Sequence, residues 1–222
     1  MREFEKNERN TVRRQSGRGK YDRETVYAIL DEAFLCHVGF SVGGQPFVIP
    51  TLYARDTDRI FIHGSSVSRM LKDLSEGIHV CITVTITDGI VLARSAFHHS
   101  MNYRSVTAFG KGYLVDDHDK KMRALELISE NVLPGRWNDA RLPTQKEMDV
   151  TSVICVEIED AAAKIREGDP KDDKRDYELP IWAGVLPVSL ACSEPVADSL
   201  LREGIAVPDY IEEFVKDRSP DK

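Results

Sequence analysis

The sequence has few of the features that mark a membrane protein, a secreted domain or a hydrolase. Its 222 residues contain no run of about 18 apolar positions, which argues against a transmembrane helix. The opening stretch M-R-E-F-E-K-N-E-R-N is too charged for a secretory leader, so the expected location is cytoplasmic. There are only four cysteines (Cys36, Cys81, Cys155 and Cys192), with no C-x-x-C pair, and three lie in apolar, strand-like runs. Reduced, buried thiols are expected, and neither a disulfide frame nor a zinc site. Histidine is also sparse. His98 and His99 are adjacent and would face opposite sides of a strand, His63 stands alone, and no H-x-x-x-H spacing occurs, so no metal ion is expected. A G-x-S-x-G elbow and a G-x-x-x-x-G-K-[ST] loop are both missing, which argues against a serine hydrolase and a Walker-type nucleotide site. The net charge of −7 argues against non-specific nucleic-acid binding, although Arg13 to Arg23 holds five basic residues that could meet an anion.

What is present fits a soluble globular chain, 41% apolar and 30% charged, long enough for one sizeable core. Residues 1–20 read as a polar N-terminal tail, 21–190 as the folded domain and 191–222 as a C-terminal helical extension. Asp22 is placed to cap a helix in which Val26, Ile29, Leu30, Ala33 and Phe34 recur at helical spacing. Leu35 to Val42 and Pro46 to Ala54 read as a hairpin turning at Gly43-Gly44, and Arg59 to His63 as a short strand. Ile78 to Thr87 is the clearest strand, with Ile78, Val80, Ile82, Val84 and Ile86 on one face. Asp88-Gly89 predicts a second hairpin, returning over Ile90 to Phe97. A helix is expected over Asp119 to Val132, separate strands over Ser152 to Glu159 and Ala161 to Arg166, and a mobile charged loop over Gly168 to Glu178. A last strand over Ile181 to Leu190 and a short helix over Pro208 to Lys216 close the chain. Many short antiparallel strands with few helices, and no internal repeat, predict a mainly β protein: a small barrel or sandwich with peripheral helices.

Two stretches carry candidate chemistry. From Arg94 to Val115, a polar and aromatic cluster leads into a strand with Ser105, Thr107, Phe109, Lys111 and Tyr113 on one face. Its other face has Gly110 and Gly112, which suits a bulge or the close approach of a ligand or another backbone. An edge strand with a polar entry loop would look the same. The second stretch is His63-Gly64-Ser65-Ser66-Val67-Ser68-Arg69, where a strand gives way through glycine to three hydroxyls and an arginine at a helix start. Free N–H groups, hydroxyls and a guanidinium make a phosphate site there, and a plain helix cap with a solvated arginine would use the same residues.

Taken together, F-V-I-P-T-L-Y, H-G-S-x-x-S-R-x-L and N-Y-R-S-V-x-x-x-G-K-G, in that order, resemble the pyridoxamine 5'-phosphate oxidase-related, FMN-binding split-barrel family. The nearer match is to its nitroimidazole-resistance (Nim-type) branch, which P-G-R-W at Pro134 to Trp137, A-K-I-R at Ala163 to Arg166 and W-A-G-V-L-P at Trp182 to Pro187 also fit. The similarity runs over roughly residues 11–190. It implies an FMN-binding split β-barrel of Greek-key type, with the flavin held at the interface of a homodimer. By that resemblance Ser68 and Arg69 hold the phosphate, and Arg104 and Ser105 reach it or the ribityl chain. Val48, Ile49, Pro50 and Thr51 lie along the ring, His63 and Gly64 flank the ribityl chain, and Trp182 packs on the partner's flavin. One departure bears on activity. Where the true oxidases have a basic substrate clamp after the tryptophan, this chain has Ala183-Gly184-Val185-Leu186-Pro187. The expectation is therefore an FMN-dependent oxidoreductase of a small molecule other than vitamin B6. A flavin carrier or sensor without turnover and a haem-binding split barrel are the alternatives.

Overall fold

Six strands close into a barrel in the computed structural model, which describes residues 3–219. In chain order the elements are β1 (Gly19–Lys20), α1 (Arg23–Glu32), β2 (Leu35–Val42), β3 (Gln45–Asp56), β4 (Arg59–Ser65), α2 (Arg69–Ser75) and β5 (Glu76–Leu92). They continue with β6 (Ser100–Leu114), α3 (His118–Val132), α4 (Arg136–Asp139), α5 (Gln145–Asp149), β7 (Thr151–Arg166), β8 (Gly184–Pro187) and α6 (Asp209–Asp217). Strands β2, β3 and β4 form a meander, and β5 returns beside β2, which is a Greek-key arrangement. Strand β7 pairs with both β4 and β6 and closes the ring. The closure is partial: β7 follows β6 as far as Arg166 but leaves β4 after Glu157, so the barrel is split at that end. Every pairing is antiparallel, with β1 added to β7 and β8 added to β5. Among the described residues no helix is long and apolar enough to cross a membrane.

Local chemistry accounts for the elements. Gly43 and Gly44 both have positive φ (57° and 80°), as a two-residue hairpin matching the strand twist requires. Asp22 caps α1 by accepting the Thr25 N–H at 2.8 Å. That helix buries Val26, Ile29 and Leu30 against one end of the barrel, and α2 buries Met70, Leu71 and Leu74 at the other. Between them, inward residues of every strand meet, including Val38, Ile62, Ile82, Val106 and Ile154. Gly110 and Gly112 face inward as well, and each is needed for a close backbone approach. A Cβ on Gly112 would come 2.7 Å from the Leu74 carbonyl oxygen, and one on Gly110 would strike that of Glu157. We expect Gly110→Ala to cost about 3 kcal/mol, read from the urea midpoint, because neither backbone can yield without breaking the β6–β7 ladder. A midpoint unchanged from the parent would contradict this packing.

Several expectations need correction. Asp88-Gly89 is not a hairpin turn: β5 runs through it with only a register irregularity between Thr87 and Gly89. Glycine is required there because β8 lies over it, with Val185 Cγ1 2.8 Å from where a Cβ would be. The two strands expected between Ser152 and Arg166 are one strand, β7. Residues 3–20 are not a tail. Phe4 is buried in the core, its N–H bonds to the Tyr21 carbonyl at 2.9 Å, and Arg9 binds Glu159 and Asp160 at 2.7 Å. The first two residues of that expected tail, and 220–222 of the expected C-terminal extension, lie outside the described residues. The extension itself is helical only over α6. The loop expected to be mobile is pinned by Asp172, whose buried carboxylate accepts the N–H groups of Arg94 and Ser95 at 3.0 and 3.1 Å. Only one thiol is fully buried: Cys36, where burial pushes the pKa up to about 12.

Candidate functional site

The residues singled out from the sequence do not gather at one point; they fall into two regions joined by β3. The first is an open sheet face. Register across β3, β2, β5 and β6 aligns Val48 and Pro50 with Gly39 and His37, then with Cys81 and Thr83, then with Phe109 and Thr107. These side chains point out of the barrel, opposite the buried set of Val38, Ile82 and Ala108. Val48 is 68% exposed, and its neighbours on β2 and β5 are small, so the sheet offers a shallow shelf. Ile49 and Thr51 face inward and present only their backbone to it. Beyond β6 the face is covered, because Arg9 from the N-terminal segment lies over Phe109 at 5.6 Å. Ser105, at that side, donates its hydroxyl to the Lys164 carbonyl at 3.3 Å.

Ser68 and Arg69 open α2, where Arg69 meets Phe47, the inward-facing neighbour of Val48 on β3. Ser68 precedes α2 without making a side-chain cap bond, so its hydroxyl is available. The Arg69 guanidinium lies over the Phe47 ring at 4.2 Å and has no ion-pair partner among the described residues. Arg104 is elsewhere and is already engaged. It pairs across from Ile86, whereas Phe47 aligns with Phe40 and so with Val80, six residues away along β5 or roughly 20 Å. Its guanidinium is shared between Glu32 and Asp88, and these two carboxylates raise its pKa further. Trp182 is 68% exposed beside β8, with Gly184 its close neighbour, and does not meet the shelf of its own chain. Gly64 packs under Leu71, whose Cδ1 would lie 3.1 Å from an added Cβ.

His63 belongs to the second region, which sequence reasoning did not anticipate. On the outer face of β4, beside Leu52 of β3, it enters a cavity of about 630 Å³ beneath α3. Leu125, Ile128, Val132, Trp137, Met148 and Ile211 form its apolar walls, and Arg136 and Arg141 stand at its margin. The His63 Nδ1 is buried with no hydrogen-bond partner among the described residues. Burial also pushes the imidazole pKa down, so at neutral pH the ring is uncharged with a lone pair free. The walls are firmly held. Glu130 accepts the N–H groups of Gly135 and Trp137 at 2.7 and 2.8 Å, fixing the P-G-R-W turn, in which Gly135 has φ 90°. Arg141 grips Glu147 through two bonds of 3.0 and 2.7 Å, and with Thr144 it holds that carboxyl down at about 2. Tyr210 of α6 accepts from Arg136 at 3.1 Å and donates to Asp139 at 2.9 Å, so the C-terminal helix lids the margin. Among the described residues no group of three or more His, Cys, Asp or Glu side chains could hold a bare metal ion. One buried neutral histidine in an apolar slot bordered by arginines is a different type of site.

The sequence profile of the family described as pyridoxamine 5'-phosphate oxidase matches residues 22–165. No curated protein sequence matches the chain. Among solved structures, the flavocytochrome Anf3 from Azotobacter vinelandii is similar at 38% identity and a TM-score of 0.87, covering 93% of this chain and 96% of that one. The FAD and haem binding protein from Mycobacterium smegmatis is similar at 31% identity and a TM-score of 0.85, covering 89% and 97%. A putative 5-nitroimidazole antibiotic resistance protein from Bacteroides thetaiotaomicron, at 22% identity and a TM-score of 0.55 over 66% and 86%, shares the fold.

Proposed function

The chain belongs to the pyridoxamine 5'-phosphate oxidase family, and from that premise we propose that it is a flavin- and haem-binding oxidoreductase. The observation that carries the haem half is the His63 cavity. Its volume of about 630 Å³ falls in the range of roughly 300–1,000 Å³ common for cofactor sites. An uncharged imidazole with an unpartnered nitrogen suits a haem iron and the apolar walls suit the macrocycle, while Arg136 and Arg141 at the margin are engaged by Asp139 and Glu147. Support also comes from the two relatives above 30% identity, one described as a flavocytochrome and the other as binding FAD and haem.

The flavin half rests on the shelf. Val48 and Pro50 present an open apolar surface to a flat ring, and the backbone of Ile49 and Thr51 is available to its polar edge. Ser68 and Arg69, which has no ion-pair partner among the described residues, supply a contact for the phosphate that FMN and FAD have in common. Arg104 is left out of this reading, because Glu32 and Asp88 already neutralise it. A second copy of the chain covers the shelf and brings its Trp182 to the ring, so the working unit is a homodimer. Val48 and Leu52 lie on the same outer face of β3, four residues or roughly 13 Å apart. The shelf and the cavity are therefore neighbours, close enough for electrons to pass between their occupants. Bound flavin would exchange electrons with a small organic molecule and haem would carry them singly, while the protein positions both and excludes water.

Titrating cofactor-free protein with haemin and FMN, separately and then together, tests the reading. Each should saturate near one equivalent per chain without displacing the other. Competition between them would mean a single shared site and overturn the proposal.

A further inference from the structure

A further cavity, of about 800 Å³, lies outside both regions of the proposed function, and its size falls within the roughly 300–1,000 Å³ common for small-molecule sites. Its floor is the outer face of β4, β7 and β6, where register sets Phe61, Cys155 and Tyr113 side by side. Neighbouring strands are roughly 4.8 Å apart, so the two aromatic residues flank the thiol at a separation of about 10 Å. Tyr113 is left 47% exposed, and its hydroxyl makes no hydrogen bond among the described residues. Ala124 and Leu127 of α3 roof the space, whereas Leu125 and Ile128 of the same helix face the His63 cavity. The two cavities are neighbours but have no lining residue in common.

Charge around this cavity is uneven, with five carboxylates lining it against three cations. Two of those cations are already engaged: Arg59 lies 3.8 Å from Glu157, and Arg123 is held at 2.8 Å by Glu126, which is outside the lining. Asp117 is occupied as the cap of α3, accepting the Lys120 N–H at 2.9 Å. Asp56 and Asp116 keep carboxylates with no hydrogen bond or ion pair among the described residues. Burial pushes the Cys155 pKa up to about 11, so the thiol stays protonated and belongs to the apolar floor instead of acting as a nucleophile. Aromatic faces below and spare carboxylates at the rim repel an anion and attract a cation. We propose that this cavity binds a small organic cation with a flat aromatic body, seated on Phe61, Cys155 and Tyr113 with its charge among the rim carboxylates. The site uses neither the shelf nor His63, so the inference stands apart from the flavin and haem reading.

Titration calorimetry with three bicyclic probes of one size tests it: N-methylquinolinium, neutral quinoline and 2-naphthoate. The protein is first supplied with FMN and haemin, so that the shelf and the His63 cavity are closed to the probes. N-methylquinolinium should saturate at one per chain and bind about tenfold more tightly than quinoline, with 2-naphthoate weaker than either. Cys155→Phe, whose ring fills the floor, should abolish this binding. Asp56→Asn with Asp116→Asn keeps the shape of the cavity and should weaken the cation about tenfold while leaving quinoline unchanged. No saturable binding of the cation, or equal affinity for the three probes, would overturn the proposal, and so would parent-like affinity in the asparagine pair. That pair decides the matter should the phenylalanine disturb the fold. If the parent takes up neither cofactor, Cys155→Phe still shows whether the probe sits here, so failure of the cofactor reading and failure of this one remain distinct.

Discussion

His63→Ala should fold normally, bind flavin as the parent does, and hold haem at least about 100-fold more weakly, with the Soret band lost or shifted. The basis is what His63 does not do. Its buried Nδ1 makes no hydrogen bond among the described residues, so removing the ring breaks no protein network. The cavity walls are tied independently, through Glu130 to the Gly135–Trp137 turn and through Arg141 to Glu147. Only a ligand in the cavity would register the loss. Added imidazole, small enough for the vacated space, should restore the spectrum in part. A variant that binds haem with the parent's affinity and spectrum would show that the iron is held elsewhere.

Arg69→Ala should weaken FMN by about 2–3 kcal/mol, a factor of roughly 30–150, and leave riboflavin almost unaffected. Arg69 rests on Phe47 and faces no carboxylate among the described residues, so its charge is free for a phosphate. Arg104→Ala, by contrast, removes a guanidinium already divided between Glu32 and Asp88, and it should act on stability more than on flavin affinity. The contrast between the two variants separates a phosphate ligand from a structural cation. Equal affinity of the parent for riboflavin and FMN would remove Arg69 from the site.

Features governed by local rules were legible in the sequence. Alternation in β5 placed Val80, Ile82 and Val84 inside, and all three are buried, because one face of that strand meets the core and the other does not. The Asp22 cap and the Gly43-Gly44 turn were legible for the same reason. Misreadings arose where a distant segment took over a local signal. Asp-Gly is a strong turn pair, but Gly89 has to admit β8, which lies almost a hundred residues later. Phe109 falls on one face of its strand by alternation alone, which says nothing of its cover, and Arg9 of the supposed tail lies over it. The helical period of α3 marked Leu125, Ile128 and Val132 as an apolar side without saying what it would face. They roof a cavity whose histidine is more than sixty residues upstream. No spacing rule joins His63 to residues near 130, 148 and 211, so the resemblance that set His63 beside a ribityl chain gave no hint of this cavity until the fold assembled it.

The absorption spectrum of the protein as purified, before and after adding dithionite, tests the central claim most directly. The account predicts flavin bands and a Soret band together, near one of each per chain, both responding to the reductant and the Soret band absent from His63→Ala. A protein with neither chromophore, which also takes up neither haemin nor FMN when they are supplied, would contradict it.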